Sequence, residues 1–282
     1  MMKAVREFIP GSEWLYIKIY TGIKTADIIL EEAVDPLLHN FQEENWIKKW
    51  FFIRYNDPRP HLRVRLELSD SSHFNKIFAL IKDCLKEYIA SGEISGMILD
   101  TYQREIERYG NDTIEQAEFL FWKSSSSILN EYIHFDDEDK IIISLFYIDT
   151  LLECIGLPLL MKFDWIKKDN LAFKQEFNAD KRLNSRLDKK YRTFILKYSE
   201  FLESDEYLAF RQDIITEVRE SEKELKHVME HYQGAVHDFF QSIFHMHINR
   251  MFVSNQRLFE MIVYDYLFRY YKSLVFKNRL SL

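Results

Sequence analysis

A chain of 282 residues with 47% hydrophobic and 16% aromatic content is long enough to bury a large core, as one domain or two tightly joined ones. Its net charge of −7 argues against a whole-protein field that would attract nucleic acid or an anionic membrane. No stretch approaches the roughly 20 apolar residues that span a bilayer, and no signal-peptide pattern opens the chain, so we expect a cytoplasmic protein. Two isolated cysteines, Cys84 and Cys154, predict free thiols in a reducing compartment.

The first 110 residues alternate between strand and helix patterns. Strands are indicated by period-two alternation bounded by turn residues, and helices by apolar positions three and four apart. The chain predicts strands at 14–22, 51–55, 61–68 and 95–103, a turn at 57–60, and helices at 25–41 and 73–91, with Thr25 as the N-cap of the first helix.

After about Asn111 the pattern is almost entirely helical. The predicted helices are 113–132, 136–156, 185–201, 205–230, 235–252 and 254–276. The stretch from Lys167 to Asp188 is polar and has no clear periodicity, which predicts a mobile loop. Together the elements predict an α+β fold in which a strand-rich N-terminal half, about 13–110, packs on a mostly helical C-terminal half, about 111–277.

The hairpin at 51–68 carries a pair of arginines on its returning strand. Side chains alternate between the faces of a strand, so Arg63, Arg65 and Glu67 share one face while Leu62 and Val64 point to the other. Two neighbouring guanidiniums repel each other, and each is a planar fork suited to a carboxylate or phosphate. The pair therefore predicts an anion site. The alternative is a solvated edge face on which Glu67 neutralises one arginine.

A second cluster lies in YQREIERYG at 102–110. Glu105 and Arg108 are three positions apart, so on one helical turn they face the same way and can pair. The alternative is an ordinary surface ion pair that contributes well under about 1 kcal/mol.

A third cluster, HMHINR, occupies 245–250. On a helix His245 and Asn249 share one face, while His247 points to another side. Two histidines two positions apart do not converge on a helix, so a zinc site is a weak interpretation. One histidine that donates or accepts a proton is a better one, and the alternative is a packing residue.

These clusters, in this order and after the opening WLYIKIYTG at 14–22, resemble one known family. PHLRVR at 60–65, YQREIERYG and HMHINR are together similar to the glutamate-elimination domain of class I lantibiotic dehydratases, also called the thiopeptide-type bacteriocin biosynthesis domain. The resemblance extends from about Glu13 to about Lys277. It implies one elimination-type domain across the chain.

The resemblance also implies a reaction and a set of roles. The family removes glutamate from glutamylated Ser or Thr of a precursor peptide, leaving dehydroalanine or dehydrobutyrine, and needs no metal or redox cofactor. The matching active-site positions are Arg63, Arg65, Glu105, Arg108 and His245. Arg65 and Arg108 would stabilise glutamate or an enolate, His245 would protonate the leaving carboxylate, and Glu105 would orient an arginine.

The length sets an expectation about partners. A family member of 282 residues has no room for the larger domain that glutamylates the peptide from glutamyl-tRNA. We therefore expect a stand-alone elimination subunit that works with a separate glutamylation subunit, binds no nucleic acid directly, and is a homodimer as full-length relatives are.

Two alternative functions remain open at this point. Members of the same family catalyse a [4+2] cycloaddition between two dehydroalanines, which forms the pyridine ring of thiopeptides. A degenerate relative would be a non-catalytic scaffold that binds the precursor peptide. The scaffold has no evident need for both hairpin arginines and the histidine together.

Overall fold

The computed structural model describes residues 4–280, and its strands form one antiparallel sheet and one short ribbon. The four-stranded sheet has the order β3-β4-β2-β5, and β1 pairs with β6 in a separate two-stranded ribbon. The strands are β1 (Glu7–Phe8), β2 (Trp14–Thr21), β3 (Ile47–Tyr55), β4 (His61–Leu68), β5 (Ile94–Leu99) and β6 (Tyr102–Gln103).

The helices precede, connect and follow these strands. They are α1 (Thr25–Ile28), α2 (Asp35–Glu43), α3 (Phe74–Ser91), α4 (Ile106–Tyr109), α5 (Ile114–Ser127), α6 (Asp137–Cys154), α7 (Leu159–Glu176), α8 (Lys181–Glu203), α9 (Leu208–Glu220), α10 (Glu222–His231), α11 (Val236–Met251) and α12 (Gln256–Leu280). π-Helical turns at Ile29–Val34 and Ile128–Tyr132 continue α1 and α5, and single 3₁₀ turns precede α3 and α9.

The described residues divide into two compact units. The first contains the chain up to His134 together with Glu230–Ser254, and so holds all six strands and α11. The second contains Phe135–Met229 and the chain from Asn255 onward, and is helical. The predicted α+β class, with strands in the N-terminal half and helices in the C-terminal half, is confirmed.

One face of the four-stranded sheet packs as the sequence predicts. Val64 and Leu66 of β4 line a small apolar cavity together with Phe41 of α2 and Ile81 of α3. All four side chains are almost fully buried. Burial of aliphatic and aromatic side chains of this size stabilises a fold by roughly 1.5–3 kcal/mol each. The face of the sheet under α2 and α3 is therefore a hydrophobic core, and Arg63 and Arg65 lie on the opposite face.

Within the second unit, the predicted mobile loop is wrong. Residues 167–176 belong to α7, and α8 already begins at Lys181. Helix α7 packs on α12 through the stacked rings of Phe173 and Tyr264, and Lys174 pairs with buried Asp265 at 2.7 Å. The buried face of α7 includes Asp169 and Asn170, and these polar residues hide its apolar period from a sequence-based assignment.

Two smaller predictions also need correction. The N-cap of α1 is Lys24, so Thr25 begins the helix and does not cap it. The single strand predicted at 95–103 is two strands, β5 and β6, which belong to different sheets, and Asp100 and Thr101 between them lie in neither strand. None of the helices in the part of the chain that the structure describes is long and apolar enough to cross a membrane.

Candidate functional site

Arg65 lies in the interior of the four-stranded sheet. Strand β4 pairs with β2 on one side and β3 on the other, which places Arg65 between Tyr16 and Phe51. Its side chain is buried, with 8% of the residue surface exposed. The guanidinium carbon lies 4.4 Å from the ring centre of Tyr16, 5.3 Å from Phe51 and 4.9 Å from Tyr102. Aromatic faces attract cations, so the three rings hold the guanidinium without neutralising it.

No carboxylate of the described residues pairs with Arg65. Its Nε is buried and has no hydrogen-bond partner among residues 4–280. Glu67, the alternative partner on the same strand face, pairs instead with Lys49 at 3.2 Å and Lys48 at 3.8 Å. The alternative of a solvated edge face is therefore wrong, because β4 is a central strand and Glu67 neutralises lysines. A buried arginine with no counter-charge is costly, which is typical of a site whose anion comes from outside.

Arg63 is fixed by its strand neighbours. Its Nε donates to Nε2 of His61 at 3.1 Å, and its guanidinium carbon lies 3.5 Å from the ring centre of Tyr55. His61 in turn places Nδ1 2.9 Å from the carbonyl oxygen of Arg59. An Nε2 that accepts requires an Nδ1 that donates, so His61 is a neutral imidazole. Burial lowers the pKa of His61, and the nearby charge of Arg63 lowers it further, which favours the same neutral form.

A buried ionic network supports the ring on which Arg65 rests. Tyr102 donates its hydroxyl to Glu118 at 2.8 Å, and Glu118 is fully buried. Arg104 holds both oxygens of Glu118, with Nε at 2.7 Å and Nη2 at 2.8 Å, and Lys49 lies 3.2 Å away. Burial, with Glu118 beside it, raises the pKa of Tyr102 well above its usual value, so the hydroxyl remains a donor.

The sequence interpretation missed Arg104 and Glu118. They are 14 positions apart on different elements, so no local spacing links them. Arg104 also lies in the same motif as Glu105 and Arg108, whose i,i+3 spacing predicts a different ion pair. A glutamate on the apolar face of a helix was the available signal, since carboxylates are seldom fully buried without a partner.

Glu105 and Arg108 form the predicted ion pair, with Nε of Arg108 3.0 Å from Oε2 of Glu105. Their side chains are 62% and 49% exposed, so the pair stands at the surface. The hydroxyl of Tyr232 donates to the Arg108 carbonyl at 2.9 Å and fixes the short helix α4. Gly110 ends that helix at φ +78°, where a Cβ would come within 2.6 Å of Oγ1 of Thr113. This turn therefore needs glycine.

The two histidines of the HMHINR motif on α11, His245 and His247, face different environments, as predicted. His247 is buried, and its Nδ1 lies 3.0 Å from Oγ of Ser124. Burial lowers its pKa to about 3, with a smaller effect from Arg250, so His247 is neutral at pH 7. His245 is partly exposed. Of the pair, His245 is the one that solvent reaches, and His247 is packed in the interior.

The rest of the HMHINR motif closes the free edge of β3. Asn249 accepts from the Arg54 amide at 3.0 Å and donates to the Arg54 carbonyl at 2.9 Å. Arg250 donates to the Phe52 carbonyl at 2.9 Å, and the Phe52 amide donates to Oγ of Ser125 at 3.3 Å. Side chains thus replace a neighbouring strand along β3. Ser124 to Ser127 form the last turn of α5, immediately before the π-helical turn at Ile128–Tyr132.

All five candidate residues lie in the first unit, where four of them form two pairs and the fifth, His245, stands alone. Arg63 and Arg65 are adjacent on one face of β4, and Glu105 and Arg108 share one turn. His245 stands on α11, which Asn249, one turn further along, fastens to β3, the strand beside β4. Among the described residues no group of three or more His, Cys, Asp or Glu side chains is arranged to hold a metal ion.

A known family matches nearly the whole chain. The model of the family "Lantibiotic biosynthesis dehydratase C-term" matches residues 14–271. The chain belongs to this family. Among curated proteins it is 28% identical to the subtilin biosynthesis protein SpaB of Bacillus subtilis over 269 residues, which is 89% of this chain and 25% of SpaB. It is 35% identical to the nisin biosynthesis protein NisB of Lactococcus lactis subsp. lactis over 129 residues, 44% of this chain and 12% of NisB.

Solved structures give the same fold. The tRNA-dependent lantibiotic dehydratase MibB from Microbispora sp. 107891 matches with a TM-score of 0.68 at 20% identity, over 94% of this chain and 28% of MibB. The pyridine synthase TbtD from thiomuracin biosynthesis matches with a TM-score of 0.61 at 12% identity, over 93% of this chain and 99% of TbtD. This chain thus spans about a quarter of SpaB and of MibB, and nearly all of TbtD.

Proposed function

We propose that this chain eliminates glutamate from glutamylated Ser and Thr residues of a precursor peptide, giving dehydroalanine and dehydrobutyrine. One observation carries the proposal. Arg65 is a buried guanidinium held by three aromatic rings, and no carboxylate of the described residues pairs with it. A glutamyl ester brings a free side-chain carboxylate, and an elimination reaction develops negative charge on a neighbouring carbonyl. Both are anions that a fixed guanidinium fork stabilises.

The reaction is a β-elimination. The Cα–H bond of the modified residue breaks, and its electron pair passes through an enolate-like state to form the Cα=Cβ bond. The bond between Cβ and the ester oxygen then breaks, and glutamate leaves with that electron pair as a carboxylate. His245 gives a proton to the departing carboxylate, and the proton from Cα passes to a base and then returns to His245 through water, so atoms and charge balance without an oxidant or reductant.

The proposed roles follow from position and charge. Arg65, with Arg63 beside it, stabilises the glutamyl carboxylate or the enolate oxygen. Arg108 contributes a second guanidinium, and Glu105 orients it through their 3.0 Å ion pair. His245, the partly exposed histidine of α11, protonates the departing carboxylate. These five residues are the catalytic set that we propose.

Sequence identity favours elimination over the cycloaddition alternative. The chain is 28% identical to SpaB and 35% identical to part of NisB, but only 12% identical to the pyridine synthase TbtD. A scaffold function is disfavoured because a module that only binds the precursor peptide has no evident need for Arg63, Arg65 and His245 together.

The proposal includes a division of labour. Glutamylation would be carried out by a separate domain or subunit, and the substrate of this chain would be the glutamylated precursor peptide. The net charge of −7 argues against direct binding of glutamyl-tRNA, because contacts with phosphates need clustered Lys and Arg.

The test is a mass measurement on a synthetic peptide that carries glutamyl-Ser at one defined position. Incubation with the protein should release free glutamate and leave the reacted residue one water lighter than unmodified Ser. The unmodified peptide, supplied with glutamyl-tRNA or ATP, should keep its mass. Persistence of the glutamylated peptide would refute the elimination function. Formation of a six-membered ring from a peptide with two dehydroalanines would support the cycloaddition alternative instead.

A further inference from the structure

Strand β5 is an edge of the four-stranded sheet with a regular and uncharged surface. It pairs with β2 on one side, and no strand of the described residues pairs with its other side. Its sequence ISGMIL contains neither a charge nor a proline. The one irregularity in its pairing falls opposite Tyr20 and Thr21, at Ser95, so the ladder from Gly96 to Leu99 is regular. Ile98 in this ladder is 47% exposed.

The other edge of the same sheet, strand β3, is covered by side chains. Along β3, side chains of Ser125, Asn249 and Arg250 bond to the backbone groups of Phe52 and Arg54. Proteins usually blunt an edge strand with charges, proline, bulges or covering side chains, because an open edge pairs with other chains. The regular part of β5 has no charged residue, no proline and no bulge. No described residue forms a hydrogen bond to its outer side. This contrast points to a strand that accepts a partner.

A cation marks one position on the sheet face of β5. The guanidinium carbon of Arg59 lies 4.5 Å from the ring centre of Tyr20, which pairs with Gly96. A Cβ built on Gly96 would lie 3.9 Å from Nη2 of Arg59. The arginine therefore crosses β2 and ends over Gly96, next to the open edge. No carboxylate of the described residues forms an ion pair with Arg59.

The neighbouring position on this face is apolar. Gly96 and Ile98 pair with Tyr20 and Lys18 of β2, so they point to the same side of the sheet as Arg59. The charge of Lys18 is already matched by Asp100 at 2.5 Å. A chain added to β5 would place alternate side chains about 4.5–5.5 Å from Gly96 and Ile98. One would meet the Arg59 guanidinium and the next would cover the exposed isoleucine.

We propose that β5 binds an extended segment of the precursor peptide by strand addition, with an acidic residue opposite Gly96 and an apolar residue two positions away opposite Ile98. This inference rests on the proposed function for the identity of the peptide, and it names a substrate-binding surface whose residues, Arg59 and Ile98, are not among the five catalytic candidates. Main-chain hydrogen bonds would supply affinity, and Arg59 and Ile98 would select the segment. An enzyme that dehydrates successive residues needs such a hold on the peptide outside the reacting position.

The experiment uses a fluorescein-labelled peptide of Ser and Thr with one Glu and one Ile two positions apart, and a second peptide with Lys in place of Glu. Fluorescence anisotropy should give a Kd for the Glu peptide that Arg59→Glu weakens about fivefold or more. The Lys peptide should bind the Arg59→Glu variant better than the native protein. Arg186→Glu, the same charge change on the exposed surface of α8, is the matched control and should leave both Kd values unchanged.

A second pair of variants tests the strand itself. Ile98→Lys should weaken binding of the Glu peptide. Ile89→Lys, at an isoleucine on α3 with similar exposure (45%, against 47% for Ile98), should leave that binding unchanged. Bound peptide should slow hydrogen exchange in the segment that contains β5. Equal effects of the two lysine variants, or unchanged exchange, would overturn the proposal. A concentration-dependent dimer that Ile98→Lys abolishes, with no protection by peptide, would assign the edge to a second copy of the chain.

The outcome is separable from that of the elimination assay. Peptide binding is measured without a glutamyl group, so it succeeds even if no glutamate is released. If elimination proceeds and Arg59→Glu changes neither peptide affinity nor KM, the β5 surface is wrong and the proposed function stands.

Discussion

The guanidinium of Arg65 lies 4.9 Å from the centre of the Tyr102 ring, and the hydroxyl of that tyrosine is bonded to Glu118 at 2.8 Å. Glu118 is itself held by a buried ion pair with Arg104, so the Tyr102 ring is fixed at its hydroxyl end. Arg65 therefore lies on a fixed ring, whereas an exposed arginine would move freely. Binding sites that are held before the ligand arrives lose less entropy on binding. The candidate site is thus built on the core of the first unit.

Arg65→Lys should remove most of the elimination activity although the charge is retained. Lysine replaces a planar fork that lies among three rings with a single point donor, so both the stacking and the bidentate geometry are lost. Loss of one preorganised donor to a developing anion typically lowers kcat by about 10²–10³. The rate of glutamate release from glutamylated peptide measures the effect.

The control for this variant is Arg192→Lys, at an exposed arginine that pairs with Asp188 in the second unit. It should leave the rate unchanged. Thermal unfolding of both variants should remain cooperative. An Arg65→Lys protein that clears glutamylated peptide at the native rate would show that the hairpin is not the anion site.

Tyr102→Phe should lower activity less than Arg65→Lys does. The ring under the guanidinium remains, but its tether to Glu118 is lost, so the orientation of Arg65 becomes less restricted. Glu118 keeps both bonds from Arg104, and the net cost of one hydrogen bond is about 1 kcal/mol of stability. Steady-state kinetics and urea unfolding measure the two effects. A variant with native stability and activity would show that the hydroxyl does not position Arg65.

Substitution of His245 and His247, the two histidines of the HMHINR motif, should separate function from packing. His245→Ala should accumulate glutamylated intermediate, because we assign the partly exposed histidine to protonation of the leaving group. His247→Ala should matter less for the rate but should lower the free energy of unfolding by roughly 2–4 kcal/mol, since it leaves a cavity and removes the partner of Ser124. Mass spectrometry of the peptide and urea unfolding distinguish these outcomes. The reverse ranking in activity would mean that the wrong histidine is assigned.

Local patterns were sufficient for the elements that surround the site. The alternation in HLRVRLEL gave β4 at its observed bounds, because each of its faces has one chemical character. The three-residue spacing of Glu105 and Arg108 gave their ion pair. Such features depend on neighbours along the chain, so a sequence alone contains them.

The features that could not be predicted from the sequence depend on contacts between residues that are distant along the chain. That Arg65 is buried follows from Tyr16, Phe51 and Tyr102, which come from three other strands. Asn249 bonds to the backbone of Arg54, which is 195 positions away along the chain. Helix α7 was missed for a related reason, since its buried polar residues are explained only by the tertiary environment.

Asn249→Ala should destabilise the protein and expose an edge strand. Two hydrogen bonds to the Arg54 backbone disappear, and its amide and carbonyl must then find water or another chain. At about 1 kcal/mol for each bond, with a further penalty for buried groups left unpaired, we expect a loss of roughly 2–4 kcal/mol. Urea unfolding measures the loss, and light scattering measures aggregation through β3.

The matched control for that variant is Asn130→Ala, which removes a bond to Ser126 at the surface. It should change the free energy of unfolding by less than about 0.5 kcal/mol. If both variants have equal stability, Asn249 does not hold the edge of β3.

The buried His247 should make stability depend on pH. Its pKa is lowered from 6.5 to about 3 by burial, so below pH 6.5 the unfolded chain binds a proton that the folded protein does not. The contribution of His247 is therefore fully present above pH 6.5 and is lost as the pH falls toward 3. The expected loss is about 1.4 kcal/mol per pH unit, or about 2 kcal/mol between pH 6.5 and 5. His61, whose pKa burial also lowers, acts in the same direction.

A His247→Gln variant isolates this contribution, because glutamine can bond to Ser124 without taking up a proton. Urea unfolding of both proteins at pH 7, 6.5 and 5 gives the comparison. The native protein should lose about 2 kcal/mol more than the variant over the acidic interval, while above pH 6.5 the difference between them should be constant. Parallel curves across the whole range would mean that His247 titrates normally in the folded protein, and that solvent reaches the position which we assign to the core.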